Sequence, residues 1–530
     1  MNSDHKGAAH HGPHGVRWRL IGASGFGLLI ILGIGLYFLK DHAEPILRAR
    51  VIETLTAHFQ SKVDLTGFHV GVERGLAVSG TGLRIYGNSD PNIHQAGVQP
   101  LISIEEFSFQ TGLLTLLRSP THIHSVQLRG LVLNIPPAGQ RQGMRSMGSG
   151  GSKVKIVVDW FNCKDAQLVI NTNRDDKLPL EFSIEKLKMS DVGPGQPMYF
   201  DATLLNPKPV GKISSKGMVG PLRVDEPRDT PVNGTYSFDN ADLATIRGIG
   251  GILSSKGRYD GQLGHIVIDG QTSTPDFRLN VSGHRVPLNT EFHAVVDGTS
   301  GNTFLEPVKA QVLSSSFVAR GSVVRLKAKG HEVSLNVVID NARIEDLLTL
   351  GVRTEPPIMT GTVGSTAKLD LPPGGEDVDK RLRLSGDFHI ADAHLNNAKT
   401  QERIDDLSMR SQGKPKLAAA PGTPDVRSDV SGVFNLSQGL MTFSKLRFEV
   451  PGTKVEMSGQ YSLDGKTFDF HGKVRLDARL SHMVTGWKSV LLKPVDPFFA
   501  KNGAGTEVPI RITGTKSEPH IGLDFGHKNE

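Results

Sequence analysis

The sequence predicts a mainly β protein: an elongated, curled antiparallel sheet with few short helices, preceded by one N-terminal transmembrane helix. Apolar and polar residues alternate over most of the chain beyond residue 63, which is the pattern of strands with one apolar and one polar face. Glycine supplies 60 of the 530 residues, and several glycines lie inside the alternating segments. One run of residues, 20–39, contains no charge and is long enough to span a bilayer.

The uncharged run begins at Leu20, includes Leu28 and Ile30, and ends at Leu39. At ~1.5 Å per residue, a helix of this length is about 30 Å long. The alternative is a cleaved signal peptide, which needs a shorter apolar region of roughly 7–15 residues and then small residues at a cleavage site. Residues 40–45 make a poor site of that kind. The sequence therefore favours an uncleaved anchor, although basic residues on both sides leave its orientation open.

Changes in composition and periodicity divide the rest of the chain. Apolar residues at helical spacing, among them Val51, Leu55 and Phe59, predict an amphipathic helix after the anchor. A stretch rich in Gly and Ser, 141–152, marks a linker or long loop. The predicted units are a short tail (1–19), the transmembrane helix (20–39), the amphipathic helix (40–60), an N-terminal β module (61–142), a Gly/Ser linker (143–152), a β region (153–480), and a C-terminal helix with closing strands (481–530).

Alternation is strictest in the second half, where it predicts which side chains share the apolar face of the sheet. These residues are Ile266, Ile268, Val333, Leu335, Val337, Ile339, Leu446, Phe448, Val455, Met457, Phe468, Phe470, Val474 and Leu476. The alternation continues in phase through Gly459 and Gly472, which predicts long strands that bend at a glycine. Short helices are expected at 240–250 and 340–350, and Asp405 and Asp406 are assigned to a turn.

A one-sided sheet can pack on a second sheet, close into a barrel, or curl into a trough that contacts an apolar ligand. The residue pattern alone leaves these three open and most resembles an ordinary sandwich core.

Few features of the sequence indicate chemistry. Cys163 is the single cysteine, so neither an intramolecular disulfide nor a cysteine-based metal site can form. The isoelectric point of about 9.1 comes from scattered basic residues, which predicts no nucleic-acid partner. No zinc-protease, nucleophile-elbow or phosphate-loop motif occurs. His122 and His124 lie two apart on a predicted strand, a spacing that a metal site can use and a solvated face also explains. The prediction is a protein without catalytic residues, metal or cofactor.

Several stretches resemble the AsmA-like family of bacterial envelope proteins. They are 264–277 (GHIVIDGQTSTPDF), 292–299 (FHAVVDGT), 304–310 (FLEPVKA) and 317–323 (FVARGSV). The closing segment 507–519 (EVPIRITGTKSEP), after 496–499 (DPFF), and the early 63–67 (VDLTG) are also similar to the family pattern. The resemblance covers most of the chain and consists of structural patterns.

This resemblance implies a single-pass inner-membrane protein with a cytoplasmic N-terminus, a periplasmic body and a β-groove related to chorein-type bridge-like lipid-transfer proteins. Its implied ligand is phospholipid, moved between inner and outer membranes in support of outer-membrane biogenesis. The predicted apolar face then lines the groove, and Val51, Leu55 and Phe59 lie where lipid enters. Outer-membrane or other envelope proteins are further implied partners. Two alternatives stay open: a non-transporting scaffold for outer-membrane protein assembly, and an envelope enzyme of unknown chemistry.

Overall fold

The computed structural model describes the greater part of the chain and shows a mainly β protein. The described residues are 44–53, 55–56, 61–72, 76–86, 99–112, 121–135, 156–171, 180–193, 195–223, 226–326, 330–418, 425–463, 467–485, 493, 496, 505–514 and 519–524.

Within these described ranges, twenty-five strands form one sheet. They are β1 (Val63–Asp64), β2 (Gly67–Val72), β3 (Leu76–Ile85), β4 (Ile102–Thr111), β5 (Thr121–Ile135), β6 (Ile156–Ile170), β7 (Leu180–Val192), β8 (Met198–Pro207), β9 (Val210–Val219), β10 (Pro231–Asp242), β11 (Ile249–Gly250), β12 (Ile252–Gln262), β13 (His265–Leu279), β14 (Val286–Asp297), β15 (Asn302–Val312), β16 (Ser315–Leu326), β17 (Gly330–Arg343), β18 (Met359–Leu371), β19 (Arg383–Leu395), β20 (Ser428–Ser437), β21 (Leu440–Val450), β22 (Thr453–Ser462), β23 (Phe468–Leu476), β24 (Thr506–Gly514) and β25 (Pro519–Leu523).

The helices in the described part of the chain are few and mostly short. They are α1 (residues 44–53), α2 (Ile344–Gly351), α3 (Val378–Arg381), α4 (Ala398–Ser411) and α5 (Pro415–Ala418), with 3-10 turns at Pro227–Asp229, Leu243–Thr245 and Leu480–His482.

Almost every strand pairs with the next strand along the chain. β1 and β2 both pair with β3, and β11 and β12 both pair with β13, so the twenty-five strands occupy twenty-three rows. β5 and β6 are parallel, whereas the other pairs among the described strands are antiparallel. Because β5 and β6 pair directly, the two predicted β units belong to one sheet. Among the described residues no pairing joins β25 to β1 or β2, so there the sheet is an open ribbon.

Successive strands end alternately at two long edges of this ribbon, and the edges differ. One edge, here the helix edge, carries α2 between β17 and β18, α4 between β19 and β20, and the 3-10 turn between β10 and β11. At this edge the side chains of Val286, Val312 and Leu476 are buried, and α2 covers a cluster around Ile390. The opposite edge, the turn edge, consists mainly of tight turns such as 263–264 and 438–439.

The first helix packs on the sheet at its N-terminal end. Leu47 and Val51 of α1 contact the buried cluster of Phe68 and Val78. The carboxylate of Glu44 accepts a hydrogen bond of 3.0 Å from the backbone N–H of Val70, in the terminal strand β2. Because an unpaired strand edge is prone to pair with other chains, this contact also protects the edge.

The predictions of a mainly β fold, one long sheet and few short helices are confirmed. The parallel pair was not predicted. The helix expected at 240–250 is reduced to a 3-10 turn, and the one expected at 340–350 begins at Ile344. The turn assigned to Asp405 and Asp406 is wrong, since both lie within α4.

Several predicted features lie outside the described residues. They are the tail, the transmembrane run with Leu20, Leu28, Ile30 and Leu39, the linker 143–152, the lipid-entry residue Phe59, and most of the C-terminal helix. In the described part of the chain, none of the helices has the length and apolar character that crossing a membrane requires.

Candidate functional site: the apolar face of the sheet

The register places all fourteen predicted lining residues on one face of the sheet. Residues directly opposite each other in neighbouring strands point to the same side, and residues two apart in one strand also share a side. Following the cross-strand pairs from strand to strand shows that Ile268 in β13 and Val337 in β17 share a side. The same pairs place Val455 in β22 and Val474 in β23 on that side. We call this side the apolar face and the other side the polar face.

Side chains of the apolar face are partly exposed. Of the fourteen residues, Leu476 is buried at the helix edge, the side chain of Phe468 is not among those described, and the other twelve are intermediate in exposure. Residues between two packed sheets would be buried, because such a core is close-packed. This exposure therefore favours an open face over the sandwich core that the sequence pattern left possible.

The polar face is held by cross-strand ion pairs. Lys216 lies 3.1 Å from Asp201, Arg447 lies 3.1 Å from Glu456, and Arg511 lies 3.0 Å from Asp469. Their side chains are 41–71% exposed, so this face is solvated.

Glycines on the apolar face permit close approach of neighbouring strands. A Cβ atom on Gly217 would lie 2.7 Å from the Cα atom of Gly234, and one on Gly472 would lie 2.7 Å from the Cα atom of Met457. Either contact is too short for a real Cβ atom, so these positions require glycine. The register of β22 and β23 runs without a shift through Gly459 and Gly472, which confirms that these strands continue through their glycines.

Aromatic rings dominate the apolar face near its C-terminal end. The ring centroids of Phe388 and Phe443 are 6.4 Å apart, and those of Phe443 and Phe470 are 5.9 Å apart. Phe434 lies 6.1 Å from Phe388 on the same face. These spacings are those of favourable aromatic pairs, and they give rows β19 to β23 a hydrocarbon surface without hydroxyl groups at its centre.

A second region of the apolar face carries hydroxyl groups, which the sequence analysis missed. It lies at the centre of β9, β10 and β12 to β14, and its residues, here the hydroxyl belt, are Ser215, Tyr236, Ser255, Tyr259, Thr272 and Thr290. The belt escaped the sequence analysis because serine, threonine and tyrosine were counted as polar and assigned to the polar face. The sequence does contain a signal for the belt: in the alternating series Gly234, Tyr236, Phe238 and Gly257, Tyr259, each tyrosine stands at a position of the apolar face.

The belt is internally hydrogen-bonded. The hydroxyls of Ser215 and Tyr259 are 2.7 Å apart, those of Tyr236 and Ser255 are 3.1 Å apart, and those of Thr272 and Thr290 are 2.7 Å apart. Burial raises the pKa of Tyr236 and of Tyr259 above the ordinary value, and the bond to serine partly offsets this rise. Both phenols are therefore neutral at physiological pH.

The predicted lipid-entry residues have a packing role. Val51 contacts the buried cluster of Phe68 and Val78, and Leu55 contacts Val63 and Ile85. Both side chains thus attach the first helical segment to the apolar face. On the same segment, the side chain of Ile46 is 63% exposed.

The two predicted histidines lie on one side of β5, as their spacing indicated. Nδ1 of His122 is 3.2 Å and Nδ1 of His124 is 3.6 Å from the carboxylate of Asp159 in β6. Within the described ranges, no group of three or more His, Cys, Asp or Glu side chains is arranged to hold a metal ion. Cys163 is buried, and desolvation raises the pKa of its thiol to about 11, which makes it a poor nucleophile.

Comparison of the chain with family models, with curated proteins and with solved structures found no match.

Proposed function

We propose that this chain is an AsmA-like, membrane-anchored protein that carries phospholipid along a groove formed by its apolar face. One observation carries the proposal: a single apolar face continues through the rows of the sheet while its side chains stay partly exposed. A surface of this kind fits a ligand that is itself a long hydrocarbon.

The physical need for such a surface is large. Each acyl CH₂ group left in water costs ~0.8 kcal/mol, so a tail of ~16 carbons meets a barrier on the order of 12 kcal/mol when it leaves a bilayer unprotected. Rows spaced at about 4.8 Å give the sheet a path of about 105 Å along which a tail can stay in apolar contact. Transfer along it requires no covalent chemistry, in keeping with a protein that is not an enzyme.

The proposed location follows from the uncharged run 20–39 and from the family resemblance. The run anchors the chain in the bacterial inner membrane with the N-terminus in the cytoplasm, and the sheet extends into the periplasm towards outer-membrane or envelope partners. α1 then lies next to the bilayer. Because Val51 and Leu55 are occupied in packing, lipid enters beside α1, over the rows that follow it.

Neighbouring residues in β17 give a matched test of the groove. Val337 lies on the apolar face, whereas Val338 lies on the polar face and is 40% exposed. The full chain in vesicles is given a photo-reactive phenylalanine analogue at residue 337 or at residue 338 and is then irradiated. We expect phospholipid to be cross-linked from residue 337 and at least about tenfold less from residue 338.

Function is then measured as phospholipid transfer between vesicles. Val337→Asp and Val455→Asp place a charge on the hydrocarbon path and are expected to block transfer, while Val338→Asp is tolerated. Folding of each variant is verified by circular dichroism. Equal cross-linking from both faces, or full transfer by folded Val337→Asp, contradicts the conduit and favours the non-transporting scaffold.

A further inference from the structure

The hydroxyl belt is a polar island with apolar surroundings. Ile213 and Phe238 adjoin it towards the helix edge, and Val232 and Ile268 adjoin it towards the turn edge. A few polar groups within an apolar surface are the usual composition of a site that fixes the polar part of a ligand.

Each tyrosine ring lies over glycines of neighbouring strands, where no side chain occupies the space. Gly217 is paired with Gly234, and Gly257 with Gly270. The hydroxyl of Tyr259 lies 2.7 Å from where Gly234 would carry a Cβ atom, and the hydroxyl of Tyr236 lies 2.6 Å from the same point at Gly270. Both phenol oxygens are thereby held at the centre of the apolar face.

The direction of each hydrogen bond can be derived from the partners. The hydroxyl of Ser215 donates to the carbonyl oxygen of Thr235 at 3.1 Å, and that of Ser255 donates to the carbonyl oxygen of Gln271 at 3.1 Å. A carbonyl only accepts, and each serine has one proton. All four hydrogen bonds therefore form together when the serines donate to the carbonyls, Tyr259 donates to Ser215, and Tyr236 donates to Ser255.

The tyrosine oxygens consequently keep lone pairs but no available proton. Among the described residues neither oxygen has a further hydrogen bond, and both side chains are partly exposed. Such a site accepts hydrogen bonds and repels groups that offer only lone pairs, such as a phosphate oxygen or an ester carbonyl.

We propose that the hydroxyl belt binds the hydrogen-bond donors of a lipid headgroup, namely ammonium N–H or sugar O–H groups, through the oxygens of Tyr236 and Tyr259. This inference rests on the proposed lipid groove and adds a preference among lipids to it. The acyl chains then lie on the apolar residues on either side of the belt.

The test compares lipids that differ in their donors. The full chain in detergent is freed of bound lipid and incubated with equimolar phosphatidylethanolamine, phosphatidylcholine and monoglucosyl diacylglycerol of identical acyl chains, and the bound lipids are measured by mass spectrometry. Phosphatidylcholine has the same charges as phosphatidylethanolamine but no N–H group. We expect at least about fivefold more phosphatidylethanolamine or glucolipid than phosphatidylcholine. An excess of phosphatidylethanolamine identifies ammonium groups as the donors, and an excess of glucolipid identifies sugar hydroxyls.

Two variants move this preference in different ways. The double variant Tyr236→Phe with Tyr259→Phe keeps both rings and removes both acceptors, so the ratio should fall to within about twofold. Ser215→Ala with Ser255→Ala frees the tyrosine protons, so phosphatidylcholine binding should rise. Tyr461→Phe, on the same face outside the belt, is the matched control and should retain the wild-type ratio.

The outcomes separate this inference from the conduit. Binding of the three lipids in equal amounts by the wild type, or loss of the preference in Tyr461→Phe, overturns the role of the belt and leaves the groove intact. Binding of no lipid by the wild type overturns the groove itself.

Discussion

The two faces of this sheet are made by the same strands and differ in how they are stabilised. On the polar face, exposed ion pairs such as Arg511 with Asp469 join neighbouring strands. On the apolar face, hydrocarbon side chains stay partly exposed along most rows and are buried mainly at the helix edge and under α1, with a few buried towards the turn edge, such as Val232 and Leu436. Apolar surface that could have been buried for stability is thus left open, which is expected of a surface that contacts a ligand.

The same comparison shows where the fold obtains its stability. Burial of apolar area is the main favourable term in folding, and here it is concentrated at the helix edge. Substitutions at that edge should therefore cost more than equal substitutions at the centre of the face, and those on the polar face should cost least.

The largest expected effect is at Ile390, which is 5% exposed in a cluster with Ala342 and Val363 beneath α2. Ile390→Ala should lower the free energy of unfolding by about 2–5 kcal/mol, because it removes buried methylenes and leaves a cavity. Leu335→Ala, at a partly exposed position of the same face, is the control and should cost clearly less. Urea unfolding measures both. Equal losses would mean that the centre of the face is as well packed as the helix edge.

The next largest effect on stability is expected when a glycine of the apolar face is replaced by alanine. Gly472→Ala places a Cβ atom 2.7 Å from the Cα atom of Met457, and backbone cannot move aside cheaply. We expect a loss of about 3 kcal/mol in the free energy of unfolding. In Gly71→Ala the new Cβ atom would meet nothing within 4 Å, so this control should change stability little. If Gly472→Ala proves neutral, the strands do not approach each other as closely as the structure indicates.

A smaller effect is expected where α2 is fixed to the helix edge. The buried carboxylate of Asp346 accepts hydrogen bonds from the backbone N–H of Ser314 at 3.1 Å and from the hydroxyl of Ser315 at 2.7 Å. Asp346→Ala leaves both donors without this partner and should cost about 1–3 kcal/mol. Asp340→Ala, at an exposed position before the same helix, is the control. Thermal unfolding of the two variants compares their stabilities. Similar midpoints would contradict the role of Asp346 in fixing α2.

The sequence predicted the faces well because alternation is a local property. The phase of Val455, Met457, Gly459 and Tyr461 is set by the strand period alone, and the register preserves it. The parallel pairing of β5 with β6 depends instead on the long connection between them, which carries no periodic signal. Similarly, the 240–250 segment has helical spacing, but Ile249–Gly250 pairs with β13, and tertiary pairing overrides local propensity.

The candidate site was predicted less completely than the fold. The hydrocarbon lining could be read from apolar residues, whereas the hydroxyl belt required the cross-strand partners of Tyr236 and Tyr259, which no spacing within one strand reveals. For the same reason Val51 and Leu55 could be assigned to a helix but not to the clusters they contact.

The smallest expected effect belongs to the polar face and depends on pH and salt. A hydrogen bond from Arg511 to Asp469 lowers the pKa of that carboxyl below its ordinary value. A lowered carboxyl pKa adds stability at pH values above the unfolded-state pKa, and this increment is lost as the pH falls through the folded-state pKa. Arg511→Gln should therefore unfold slightly earlier than wild type at neutral pH and low salt, and the two should converge in acid or at high salt. Urea midpoints at several pH values measure this, and a difference that persists in acid would show that Arg511 acts through packing and not through its charge.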